Sequence, residues 1–136
     1  MNSKLSIRIN IICFFLLLSF TNLNAQTKIP EVKESQGLVV FYRSKSFKAG
    51  AIKFTVKDSR GEYGQLTNGS IIYVNVEPGS NTFWSQVISS DAITIDVEEG
   101  KIYYVEGTVK MGALAGRPKF NLVEESKALK KIDKIK

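Results

Sequence analysis

The chain predicts an all-β fold: an antiparallel β-sandwich of about seven to eight short strands, closed by a short C-terminal helix. Three observations carry this. Apolar and polar residues alternate with period two in several stretches, and glycine-bearing turn sequences recur between them. No helical period appears until the last dozen or so residues.

The elements follow in order. Residues 1–25 read as a secretory signal peptide. Lys4 and Arg8 supply a basic start without an acid, Ile9 to Phe20 is apolar apart from Asn10 and Ser19, and Ala25 offers a small residue for cleavage. The apolar run is shorter than the ~20 residues a membrane-spanning helix requires, so no stable transmembrane anchor is expected after cleavage. Cys13 is preceded by Ile12 and has most of the apolar run behind it, which argues against a lipid-modified cysteine. Its loss with the signal leaves a mature chain without thiol or disulfide, bound for an oxidising compartment: the periplasm or the outside of the cell.

Residues 26–36, QTKIPEVKESQ, are polar and hold Pro30, and are predicted as a flexible lead-in. The sandwich is expected over 37–123. Ile52, Phe54 and Val56 alternate with Lys53, Thr55 and Lys57, and Ile93, Ile95 and Val97 alternate with Thr94, Asp96 and Glu98. Each set gives one apolar and one wet face. Leu38 to Tyr42, Ser70 to Val76, Thr82 to Val87 and Ile102 to Val109 are apolar or aromatic on both faces, as strands covered on two sides are. Asp58-Ser59-Arg60-Gly61 and Glu98-Glu99-Gly100-Lys101 read as glycine turns. Asn68-Gly69 is the preferred pair of a type I′ turn, and Glu77-Pro78-Gly79-Ser80 suits type II. Residues 124–136 are predicted as a basic helix or tail, with Leu129 and Ile132 three apart among charges.

Composition excludes much chemistry. The chain has no histidine, and its one cysteine leaves with the signal. Nucleophilic triads and zinc sites therefore lack their usual components, and no metal, cofactor or catalytic residue is assigned. Glu98-Glu99 and Glu124-Glu125 are adjacent pairs. Neighbours on a strand point to opposite faces, so neither pair converges on one atom. Two of the nineteen basic residues and none of the thirteen acids lie in the signal, which leaves the mature chain at +4. Much of this excess sits at the C-terminus, a pattern that does not support nucleic-acid binding in an exported protein. Weak attraction to anionic lipid or polymer stays open.

Several motifs taken together resemble a family of small bacterial envelope proteins known as the domain of unknown function 2846. They are Val40-Phe41-Tyr42-Arg43, Asn68-Gly69-Ser70, Glu77-Pro78-Gly79-Ser80-Asn81-Thr82, Gly100-Lys101-Ile102-Tyr103-Tyr104-Val105, and Met111-Gly112-Ala113-Leu114-Ala115-Gly116-Arg117-Pro118. The resemblance covers Gly37 to about Val123 and implies an exported or lipid-anchored β-sandwich without an established activity. The segment from Val76 to Phe83 also resembles the strand-turn-strand of PEGA-type surface domains.

Candidate binding residues follow from the irregular segments. Lys110 to Lys119, KMGALAGRPK, breaks the strand pattern and carries Met111, Leu114 and Arg117. It reads either as an apolar loop docking on a partner or lipid, with Arg117 recognising carboxylate or phosphate, or as a connection folded back over the sandwich. Arg43-Ser44-Lys45-Ser46-Phe47-Lys48 reads either as a contact for an anionic glycan or peptide or as a solvated loop. Trp84, Tyr73 and Tyr104, with Tyr42, form either a sugar-stacking platform or part of the core. These readings point to a non-enzymatic accessory or adaptor domain engaging an envelope protein or cell-wall component. The alternative is a small-ligand or glycan-binding module built on the aromatic set.

Overall fold

The computed structural model describes residues 27–85, 91–111 and 116–135. The predicted signal peptide with Cys13, and Leu114, lie outside the described residues. Eight strands form two four-stranded sheets packed face to face, and one helix covers the outside of the first sheet. The strands are β1 (Gly37–Tyr42), β2 (Phe54–Asp58), β3 (Gly61–Leu66), β4 (Ile71–Val76), β5 (Gly79–Trp84), β6 (Ala92–Val97), β7 (Ile102–Met111) and β8 (Gly116–Val123). The helix α1 spans Glu125–Ile132. The first sheet has the order β4-β1-β7-β8 and the second β3-β2-β5-β6.

β1 explains the architecture. All six of its residues are buried, because both of its faces are covered. Val39 and Phe41 enter the core between the sheets, where Phe41 meets Phe83 and Phe120 edge-on at 5.0 and 5.5 Å between ring centroids. Leu38, Val40 and Tyr42 face outward into a second core, capped by Ala128 and Ile132 of α1 and by Ile135. β1 pairs antiparallel with β4 and parallel with β7. The parallel pair departs from a purely antiparallel sandwich. It arises because the chain crosses to the second sheet after β1 and again after β4, and returns along β7 in the direction in which β1 began.

Two strands escape the alternation pattern. β3, GEYGQL, has little apolar content, and its pairing with β2 slips at a bulge between Val56 and Lys57. β8 contains Pro118, which pairs opposite Val109 and is accommodated because β8 is an edge strand. The segment expected as an irregular loop thus supplies the end of β7 and the start of β8, with Lys110 opposite Arg117 and Met111 opposite Gly116. Asn68-Gly69 does not form a type I′ hairpin. It connects β3 to β4 in different sheets, and Gly69 alone of the pair has a positive φ, +73°.

Residues 27–36, expected as a flexible lead-in, instead lie against the second core. Thr27 is buried, Ile29 and Val32 pack on the cluster, and the Thr27 amide donates to Asp133 Oδ1 at 3.3 Å. The C-terminal basic segment is likewise docked. Ala128 and Ile132 are fully buried with Leu129 beside them, so the contacting face adds Ala128 to the pair predicted from spacing.

Candidate functional site

β1 and β7 run in one direction and β4 and β8 in the other, so the β1–β2 and β7–β8 connections emerge at one end of the sandwich. The β3–β4 turn joins them there. Arg43, directly after β1, fixes this end. It is 3% exposed, and its guanidinium donates to the main-chain carbonyls of Ala49, Ile52 and Leu66. Its carbon lies 5.3 Å from the centre of the Phe54 ring. A planar fork carries donors on separate nitrogens and so spans the carbonyls of residues 49, 52 and 66, whereas an ammonium offers its three donors from a single nitrogen. Burial lowers the affinity of Arg43 for its proton. Arg43 was expected to face a partner; its donors are instead spent on the protein's own backbone, where it clamps the β1–β2 loop.

Beside the clamp lies a cavity of about 170 Å³, walled by Arg43 to Ser46, Ala49 and the stretch from Glu106 to Val109. Glu106 is largely buried, and its carboxylate accepts from Ser44 Oγ at 3.2 Å and from Lys131 Nζ at 2.7 and 2.9 Å. The helix therefore delivers a cation to the one carboxylate in the cavity wall. Next to it in register, Tyr42 is fully buried. Burial, and then the negative charge of Glu106, push its hydroxyl well above the ordinary phenol range. The cavity thus combines a neutralised carboxylate with a serine already hydrogen-bonded to it. Among the described residues no group of three histidine, cysteine or acidic side chains is placed to hold a metal ion.

Two of the three large apolar side chains exposed among the described residues stand at this end; the third, Leu122, lies toward the other end of β8. Phe47, at the tip of the β1–β2 loop, has a relative exposure of 108%, and Met111, at the end of β7, 63%. Lys45, Lys48, Lys53, Lys110 and Arg117 are exposed around them. Lys45 lies along the β3–β4 turn, its Cγ 2.8 Å from where a Cβ on Gly69 would stand. Met111 and Arg117 are accessible, while Leu114 lies outside the described residues. The sequence named the Arg43 to Lys48 segment for its cations, as a glycan or peptide contact or a solvated loop, and gave Phe47 no role of its own. A large aromatic between Lys45 and Lys48 in a loop without acids was the available signal.

The aromatic set does not converge. Tyr73 and Tyr104 lie on the outer face of the first sheet beneath α1 and the N-terminal segment, together with Tyr42. Tyr104 is buried and donates to Glu125 Oε1 at 3.1 Å; burial and then Glu125 push its hydroxyl up to about 12. Trp84 is half-buried on the second sheet, opposite Lys57 and Ala92 in register. Two sheets separate it from the tyrosines, so the four rings form no common platform.

The opposite end is built differently. Asp58 closes the β2–β3 hairpin, accepting from the Arg60 amide and Nε at 2.8 Å each, from Arg60 Nη2, and from the Tyr63 hydroxyl at 2.7 Å. Burial raises the carboxyl, and the hydrogen bonds from Arg60 and Tyr63 more than reverse this, so its pKa falls below the usual aspartate value. Every strong acceptor direction of Asp58 is used, which makes it a hairpin fastening rather than a site.

Neither the curated proteins nor the solved structures contain a match to this chain. A family model does match, over residues 33–117, which takes in β1 through the start of β8 and both loops of the basic end. The match spans more than half of the chain, and the protein belongs to the family described as Protein of unknown function (DUF2846).

Proposed function

We propose that the protein is a non-enzymatic, exported accessory domain of the cell envelope, which engages another envelope component through its basic end. The observation that carries this reading is Phe47, a fully exposed aromatic on a loop whose base is locked by the buried Arg43. Ordered presentation of an apolar anchor lowers the entropy lost on binding, and anchors of this kind dominate recognition surfaces. The cavity below supports the same reading, because its carboxylate is occupied by Ser44 and Lys131 and leaves no free acid–base pair.

The test is photo-crosslinking in the producing cell, with a photoreactive residue replacing Phe47 or, separately, Met111. Thr94, exposed on the outer face of the second sheet, is the control position. A discrete adduct to an envelope component from the first two positions and none from Thr94 is expected. No adduct from either, or the same adducts from all three, refutes the assignment of this end as the engaging surface.

A further inference from the structure

The acids of this protein are sorted along the strand axis, while cations such as Arg60 and Lys101 stand among them at one end. The β1–β2 loop, the β3–β4 turn and the residues from Gly107 to Lys119 contain no aspartate or glutamate. They carry the exposed Lys45, Lys48, Lys53, Lys110 and Arg117. At the other end the β2–β3, β4–β5 and β6–β7 connections bring together Asp58, Glu62, Glu77, Glu98 and Glu99, and Glu124 and Glu125 follow β8 there. The acids nearest the basic end are engaged. Glu106 is held by Lys131 and Ser44, and Asp91 Oδ2 accepts from the Phe120 amide at 3.0 Å. The basic end also projects Phe47 and Met111 into solvent.

Cations around exposed apolar side chains are the combination that an anionic lipid surface complements: the cations meet headgroup charge while the apolar groups enter the boundary beneath. A soluble acidic polymer would match the charge but leave Phe47 and Met111 in water. We infer that the basic end is a docking surface for an anionic bilayer, with Phe47 and Met111 inserted at the headgroup boundary and the strands standing off the membrane. This rests on the proposed engaging role of that end and names the component engaged. It requires no spanning segment; among the described residues no helix is long and apolar enough to cross a membrane.

The test uses protein purified from the producing cell after export, so that host processing is complete. It is mixed with vesicles of 30 mol% phosphatidylglycerol in phosphatidylcholine, or of phosphatidylcholine alone, and sedimented. Each basic residue at such a surface contributes roughly fivefold in partitioning. The variant K48Q/K53Q/K110Q should therefore bind anionic vesicles roughly a hundredfold more weakly. K28Q/K33Q/K101Q removes the same charge from exposed positions elsewhere and should bind nearly as wild type. F47S should weaken binding even at low salt, where F47L retains most of it. Binding that is absent, equally reduced by both triple variants, or indifferent to Phe47 overturns the inference. A protein adduct from Phe47 in cells, without vesicle binding, overturns the lipid assignment and leaves the adaptor reading standing. Failure of both experiments removes both.

Discussion

Replacing Arg43 with alanine tests whether a buried cation organises the basic end. Three carbonyls, those of Ala49, Ile52 and Leu66, lose their donor. The bond to Leu66 is long, at 3.4 Å, so two strong charge-assisted bonds dominate. At about 1.5–3 kcal/mol each these amount to about 3–6 kcal/mol. Loss of the cation–π contact with Phe54 adds up to about 1 kcal/mol, and release of a desolvated charge returns a similar amount. A net loss of about 3–6 kcal/mol follows, a large share of the 5–15 kcal/mol typical of a domain. Arg43→Lys should recover less than half of it, because one ammonium nitrogen cannot stand at both positions from which the two guanidinium nitrogens serve these acceptors. Urea unfolding followed by Trp84 fluorescence and by circular dichroism measures both variants. A loss below about 1 kcal/mol for Arg43→Ala, or full rescue by lysine, refutes the clamp.

Two further outcomes are expected. The folded-state pKa of Asp58 is depressed, so its contribution is present above the ordinary aspartate value and is lost as pH falls through the folded value. Wild type should therefore lose stability in acid below about pH 4, and Asp58→Asn should be less stable at pH 7 with a flatter acid limb; parallel curves for the two proteins in urea titrations from pH 2 to 7 would contradict this. At Gly107 in β7, an added Cβ would stand 2.8 Å from Leu66 Cδ1 and 2.9 Å from Phe54 Cζ, so Gly107→Ala should cost about 1–3 kcal/mol; an unchanged melting temperature would show that the core yields there without strain.

The sandwich was legible wherever burial acts on one residue at a time. The run Leu38 to Tyr42 announces a strand covered on both faces, and the alternations at Phe54 and Ile95 announce half-buried ones. Legibility fails where the third dimension decides. Arg43 reads as a surface cation, because nothing local reveals three carbonyls arriving from residues 49, 52 and 66. Lys110 to Lys119 reads as a break in the strand pattern, yet Pro118 stands within β8, which tolerates it as an edge strand. Tyr73, Trp84 and Tyr104 share a chemistry but not a face. The lead-in looked mobile because Thr27, Ile29 and Val32 are scattered among charges, and only the exposed outer face of the first sheet gives them a place to pack. The gathering of acids away from one end of the strands is likewise invisible until topology states which connections share an end.

The position of β1 governs the order in which the fold can be completed. Among the described residues it is the earliest strand and one of the most deeply enclosed, yet its neighbours arrive late: β4 starts about 34 residues on, β7 about 65 and the covering helix about 88. A chain emerging from its N-terminus therefore carries GLVVFY without a partner on either edge while most of the domain is still being made. Long-range pairings of this kind form slowly, and an apolar segment left open meanwhile is prone to pair with other chains. Truncation before β7 would make that interval permanent. The C-terminal helix, which seals the outer face of β1 last, acts as the closing step that takes the chain out of this vulnerable state.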